Sequence, residues 1–107
     1  MSELKANRKI YAEVLVQLGA ENPRIVAADA DVACSTGTGA FRDRYPDRFY
    51  NFGAAEQNMM SAAAGMATCG LVPFASTFAT FASMRACEQV RQSIAYTNAN
   101  VKIVANN

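Results

Sequence analysis

In the stretch NFGAAEQNMMSAAAGMA, residues 51–67, one carboxylate, Glu56, follows a glycine and precedes a run with no other charge. An acid in a first helical turn is stabilised by the helix dipole by about 0.3–1 kcal/mol, and this alone can account for it. A second reading is chemical. The helix end favours the ionised carboxylate and burial favours the neutral one, so the group is balanced to share a proton with a ligand nitrogen. Phe78 and Phe81, in STFATF, are spaced to form either a core pair or a stacking platform. STGTG (35–39) matches neither glycine-rich phosphate-loop pattern, which leaves a turn into a short helix or a loop whose Ser35 and amides touch a substrate oxygen.

Other residues have plainer readings. Cys34, Cys69 and Cys87, with Met59, Met60 and Met66, read as core filler. Arg85, Glu88, Gln89 and Arg91 read as a helix face with short-range ion pairs. The chain has no histidine, which removes the usual zinc sites and Ser-His or Cys-His arrangements unless another chain donates an imidazole. Catalysis is left to carboxylates, hydroxyls, arginines or a cofactor. Three widely spaced cysteines make no disulfide framework. A net charge of +1 with interspersed signs gives no nucleic-acid footprint. The N-terminus lacks a signal-peptide pattern and no stretch has membrane-spanning length, so a cytoplasmic protein without membrane association is expected.

The elements that must position these residues follow from pattern. Residues 7–19 form a helix with Ile10, Val14 and Leu18 on one face, widened by Tyr11 and Leu15. Strands are expected at 24–29, 48–52, 71–77 and 101–105, and helices at 41–46, 54–68 and 81–96, the last with Met84, Cys87, Val90 and Ile94 inward. This alternation predicts an α/β fold: one domain with a three-layer parallel sheet and helices on both faces. Ligands of such sheets sit at the carboxyl ends of the strands, which selects the loops at 29–38, 53–57 and 75–81.

Three stretches in order, DADVACSTGTGAF, YPDRFYNFGAAEQNMMSAAAGMA and PFASTFATFASMRACEQVR, resemble the pyrimidine-binding domain of the thiamine-diphosphate-dependent transketolase family. The resemblance runs from about residue 8 to the end and is nearest to the C-terminal half of split transketolases. It implies that Glu56 meets N1′ of the cofactor's aminopyrimidine ring, where a shared proton favours the imino form that deprotonates thiazolium C2. It implies that Phe81 stacks on the aminopyrimidine and that Phe78 is its neighbour in the pocket wall. Asp31 and Val32 fall where the family carries an Asp-Leu pair near the thiazolium, and Arg8 and Ser35 where it contacts a sugar-phosphate substrate. The small residues Ala62, Ala63, Ala64 and Gly65 suit close approach of neighbouring elements.

The departures are also informative. Met84 stands where a tyrosine often completes the pocket, and Gln57 where long transketolases have histidine, a substitution shared with dehydrogenase-like and synthase-like relatives. By the resemblance, the chain covers roughly the first two thirds of a pyrimidine-binding domain, and histidine-bearing loops would follow. The family's G-D-G motif with a downstream asparagine is absent, so the Mg2+ and diphosphate ligands are expected on a partner chain in a dimer or hetero-oligomer, with the isolated chain inactive. The function implied is two-carbon ketol transfer between sugar phosphates. Two alternatives stand beside it: the beta component of a 2-oxoacid dehydrogenase or a deoxyxylulose-phosphate-synthase-like enzyme, and a truncated non-catalytic module.

Overall fold

The computed structural model describes residues 4–106. Helix α1 (Asn7–Glu21) leads into strand β1 (Ile25–Asp29), two short helices α2 (Ala33–Thr36) and α3 (Gly39–Arg44), and strand β2 (Phe49–Asn51). Helix α4 (Glu56–Thr68) and strand β3 (Val72–Phe78) follow. A broken helix comes next, with π-helical stretches Phe81–Arg85 and Val90–Ala95 on either side of α5 (Cys87–Gln89), and β4 (Lys102–Asn106) ends the described chain. The four strands form one parallel sheet in the order β2-β1-β3-β4. All five residues of β1 are buried, as befits a central strand covered on both faces.

Strand alternation sends the two faces of the sheet to different partners. Ile25, Ala27 and Phe74 pack with Leu15 of α1 and Phe41 of α3. Ala28 and Ala75 pack with Met59, Met60 and Ala63 of α4 and with Ala82, Ala86 and Ile94 of the broken helix. The expected three-layer arrangement is present. The chain leaves β1 toward β2 and then crosses back to β3, so the winding reverses beside β1 and opens a crevice at the carboxyl ends of β1 and β3. No helix among the described residues is long and apolar enough to cross a membrane.

Several expectations are corrected. On α1 the buried line runs through Leu15 and Gly19, with Tyr11 and Leu18 partly buried, while Ile10 and Val14 are exposed. Gly19 sets this rotation: a Cβ there would lie 2.7 Å from the ring of Phe41, so the helix sits directly against the α3 aromatics. In the broken helix, i→i+5 hydrogen bonds such as Ala86 N–H to Phe81 O (3.0 Å) slip the phase. Ala82, Ala86 and Ile94 are buried in consequence, with Val90 partly so, whereas Met84 and Cys87 face outward. Cys34, Cys69 and Cys87 are all exposed and fill no core. Ala63 and Ala64 are packed as expected, but a Cβ on Gly65 would meet open space.

Candidate active site

The carboxyl end of β1 is organised by Asp29, which is wholly buried. Its carboxylate accepts the Val32 N–H at 2.7 Å and the hydroxyls of Thr36 at 2.6 Å and Thr38 at 2.8 Å. A buried carboxylate needs this many donors, so the two threonines of STGTG fix the loop from inside. Between them Gly37 adopts φ 93°, and a Cβ there would lie 2.5 Å from the carbonyl oxygen of Arg8. The loop therefore rests on the backbone of α1, which brings Ser35 beside Arg8. Asn106 donates to Ser35 O at 3.1 Å, and Arg8, Ser35, Phe78 and Asn106 line a cleft of about 400 Å³ with Ala6 and Asn7. Deeper in the same region the Tyr11 hydroxyl shares a 2.7 Å hydrogen bond with Ser76. Burial, helped by the Asp29 charge and opposed by that hydrogen bond, pushes the Tyr11 phenol up to about 12.

On the other side of Phe78 lies the second group. The Phe78 and Phe81 rings are 6.0 Å apart at 51°, a tilted aromatic pair. Glu56, the first residue of α4, is 3% exposed. Its Oε1 accepts a hydrogen bond from Nη1 of Arg85 at 3.1 Å. The same guanidinium lies 4.0 Å from the centre of the Phe81 ring, and the Gln57 amide donates to the Arg85 carbonyl at 3.0 Å. A nitrogen-bearing cation thus lies over an aromatic face while donating to a buried carboxylate.

The predicted residues are distributed as follows. Glu56 and Phe81 meet through Arg85, and Phe78 joins this group to the cleft of Arg8 and Ser35. Val32 is held by its N–H to Asp29, and Asp31 adopts a left-handed φ of 64° with its N–H and carboxylate engaged by Asn51. Met84 is 77% exposed and turned away by the π-helical slip. The reading of Arg85 as part of a locally paired helix face is replaced by a pairing with Glu56 of another helix. The visible signal was its position four residues after Phe81, one turn along the same helix. Among the described residues no cluster of three His, Cys, Asp or Glu side chains could hold a metal ion.

Comparison with known proteins supplies the frame. Residues 4–106 match the family model described as transketolase, pyrimidine binding domain. The chain is 50% identical over 101 residues to a putative transketolase C-terminal section of Methanocaldococcus jannaschii, covering 94% of this chain and 32% of that protein. It is 42% identical over 94 residues to a 1-deoxy-D-xylulose-5-phosphate synthase of a Mycobacterium species, covering 88% of this chain and 15% of that protein. Among solved structures, a split gene transketolase in an inactive beta4 tetramer superimposes with a TM-score of 0.83 at 55% identity, covering 92% of this chain and 33% of the other. The chain thus spans about a third, or less, of the length of these relatives. With a parallel sheet whose winding reverses beside β1 and a match that runs the length of the described chain, the protein belongs to the transketolase family and aligns with that family's pyrimidine-binding domain over residues 4–106.

Proposed function

We propose that this chain provides the aminopyrimidine half of a thiamine diphosphate site completed by a diphosphate-binding partner, in an enzyme that transfers a two-carbon ketol unit between sugar phosphates. The observation that carries the proposal is the buried Glu56 carboxylate receiving a planar N–H donor that lies over the Phe81 ring. The Arg85 guanidinium stands there in the chemical role of a protonated aminopyrimidine: a flat group over the ring, donating to the acid. The residues present therefore fit the cofactor's ring.

Phe81 would hold that ring by stacking, with Phe78 closing the wall beside it. Thiamine diphosphate, when bound, supplies the nucleophilic carbon and the electron sink that amino-acid side chains lack. Glu56 holds and returns one proton at its Oε1, in a position where burial strengthens each hydrogen bond. Arg85, half exposed, has room to move outward and yield the platform. Asp31 and Val32 would border the thiazolium side. Arg8 supplies positive charge and Ser35 a hydroxyl for the phosphate of an incoming sugar, across the cleft they share. The Mg2+ and diphosphate ligands belong to the partner.

The synthase reading has two observations in its favour, the 42% identity to a 1-deoxy-D-xylulose-5-phosphate synthase and Gln57 after the glutamate. Substrate choice separates the two. With the partner chain, cofactor and Mg2+, turnover of a ketose phosphate with an aldose phosphate acceptor is expected. Turnover only with pyruvate as donor would replace ketol transfer by the synthase reaction.

A further inference from the structure

Two of the site-forming loops converge on one side chain. Asn51 is the last residue of β2 and stands opposite Asp29, the last residue of β1. Its Oδ1 accepts the N–H of Asp31 at 2.9 Å and the N–H of Gly53 at 2.9 Å. Its Nδ2 donates to Oδ1 of Asp31 at 3.3 Å. Both of the residues whose N–H groups it receives are in the left-handed region, Asp31 at φ 64° and Gly53 at φ 70°. A Cβ at Gly53 would meet nothing within 4 Å, so the backbone angle, not space, favours glycine there. Asp31 has no such freedom; a residue with a Cβ stays left-handed where its surroundings hold it.

The flanking bonds complete the connection. Phe52 N–H reaches Asp29 O at 2.9 Å, and Ala55 N–H closes on Gly53 O at 2.7 Å. Glu56 begins α4 immediately after that turn. Building on the reading of Glu56 and Asp31 as cofactor-facing, we infer that Asn51 is a positioning residue: one carboxamide fixes both the Asp31 backbone and the turn that delivers Glu56. Its acceptor serves the two loops at once, and its donor orients the Asp31 carboxylate. A residue that only ended a strand would need neither the second N–H nor the carboxylate contact.

Two variants separate these functions. Asn51→Ala removes acceptor and donor. Asn51→Asp keeps an acceptor for both N–H groups but loses the donor and sets a second carboxylate against Asp31. Amide exchange measured by NMR on the chain is expected to speed up about tenfold at Asp31 and Gly53 in Asn51→Ala, whereas Gly53 stays protected in Asn51→Asp; tenfold corresponds to about 1.4 kcal/mol. With partner, cofactor and sugar phosphates, Asn51→Ala should lose about 10–100-fold in kcat with the sugar-phosphate KM within about twofold, and Asn51→Asp should lie between it and the parent. Unchanged exchange in Asn51→Ala overturns the inference. Faster exchange with unchanged kcat overturns it equally, because the clamp would then serve the loops without serving the site. Failure of the underlying reading shows separately: Glu56→Gln would keep full turnover while Asn51→Ala still sped exchange at Asp31 and Gly53, which removes the catalytic consequence and leaves only the clamp.

Discussion

Glu56 and Arg85 lie 29 residues apart in sequence and 3.1 Å apart in space, one buried and the other half exposed. The asymmetry matters. The carboxylate has left water and depends on its partner, while the guanidinium can return to solvent at little cost. Replacing Arg85 by Ala therefore strands a buried acid. The expected loss is about 1–2 kcal/mol, below that of a fully buried pair because the arginine is screened. For a domain of this size that is a fall in Tm of roughly 4–16 °C. In the double variant with Glu56→Gln, part of the loss should be recovered, which differential scanning calorimetry would reveal. Equal losses in the single and double variants would mean that the stranded acid carries no penalty.

The two phenylalanines should separate by what they support. Phe81→Ala in the assembled enzyme is expected to weaken thiamine diphosphate binding by about 1–3 kcal/mol, through lost stacking and burial. Phe78→Ala should cost more in folding stability than in cofactor affinity. Titration of cofactor into the two variants, paired with urea denaturation, makes the comparison. The roles assigned to them fail if cofactor affinity is the same in Phe81→Ala as in the parent.

Tyr11 gives a pH signature. Its phenol titrates near 10 when unfolded and is raised to about 12 in the fold, chiefly by burial. A raised value means that the folded state holds the proton more tightly. Stability is complete below pH 10 and is lost as the pH rises toward 12, by roughly 2–3 kcal/mol over the whole interval. Tyr11→Phe cannot lose it. The variant should be less stable than the parent at pH 8, where the hydrogen bond to Ser76 is missing, and the difference should shrink or reverse above pH 10. Denaturant midpoints for both proteins between pH 8 and 12 test this, and parallel curves would contradict it.

The alternation of strands and helices and the three layers were legible because turn signals and apolar runs alternate cleanly, and the site loops followed from the sheet rule, whereas the order of the strands across the sheet came only with the fold. Glu56, Phe78 and Phe81 stood out for the same reason: they sit where those loops meet. What stayed hidden is equally physical. On α1 the line through Ile10 and Val14 and the line through Tyr11 and Leu15 are both apolar, and only the contact of Gly19 with Phe41 selects between them. Periodicity assumes i→i+4 bonding, so the π-helical slip that turns Met84 outward left no trace in the pattern. The donors that hold Asp29 lie at 32, 36 and 38, and those that Asn51 receives lie at 31 and 53, pairings set by the folded loops and not by any local motif.

The most direct measurement concerns the single atom exchange that turns Glu56 into a neutral amide. Glu56→Gln keeps the size of the side chain and can still accept a hydrogen bond from Arg85, but it cannot take up a proton. In the enzyme assembled with its partner, thiamine diphosphate and Mg2+, turnover of sugar phosphates should fall by at least about 100-fold, with circular dichroism and assembly unchanged. Turnover of the Glu56→Gln enzyme close to that of the parent, under the same cofactor, would contradict the account.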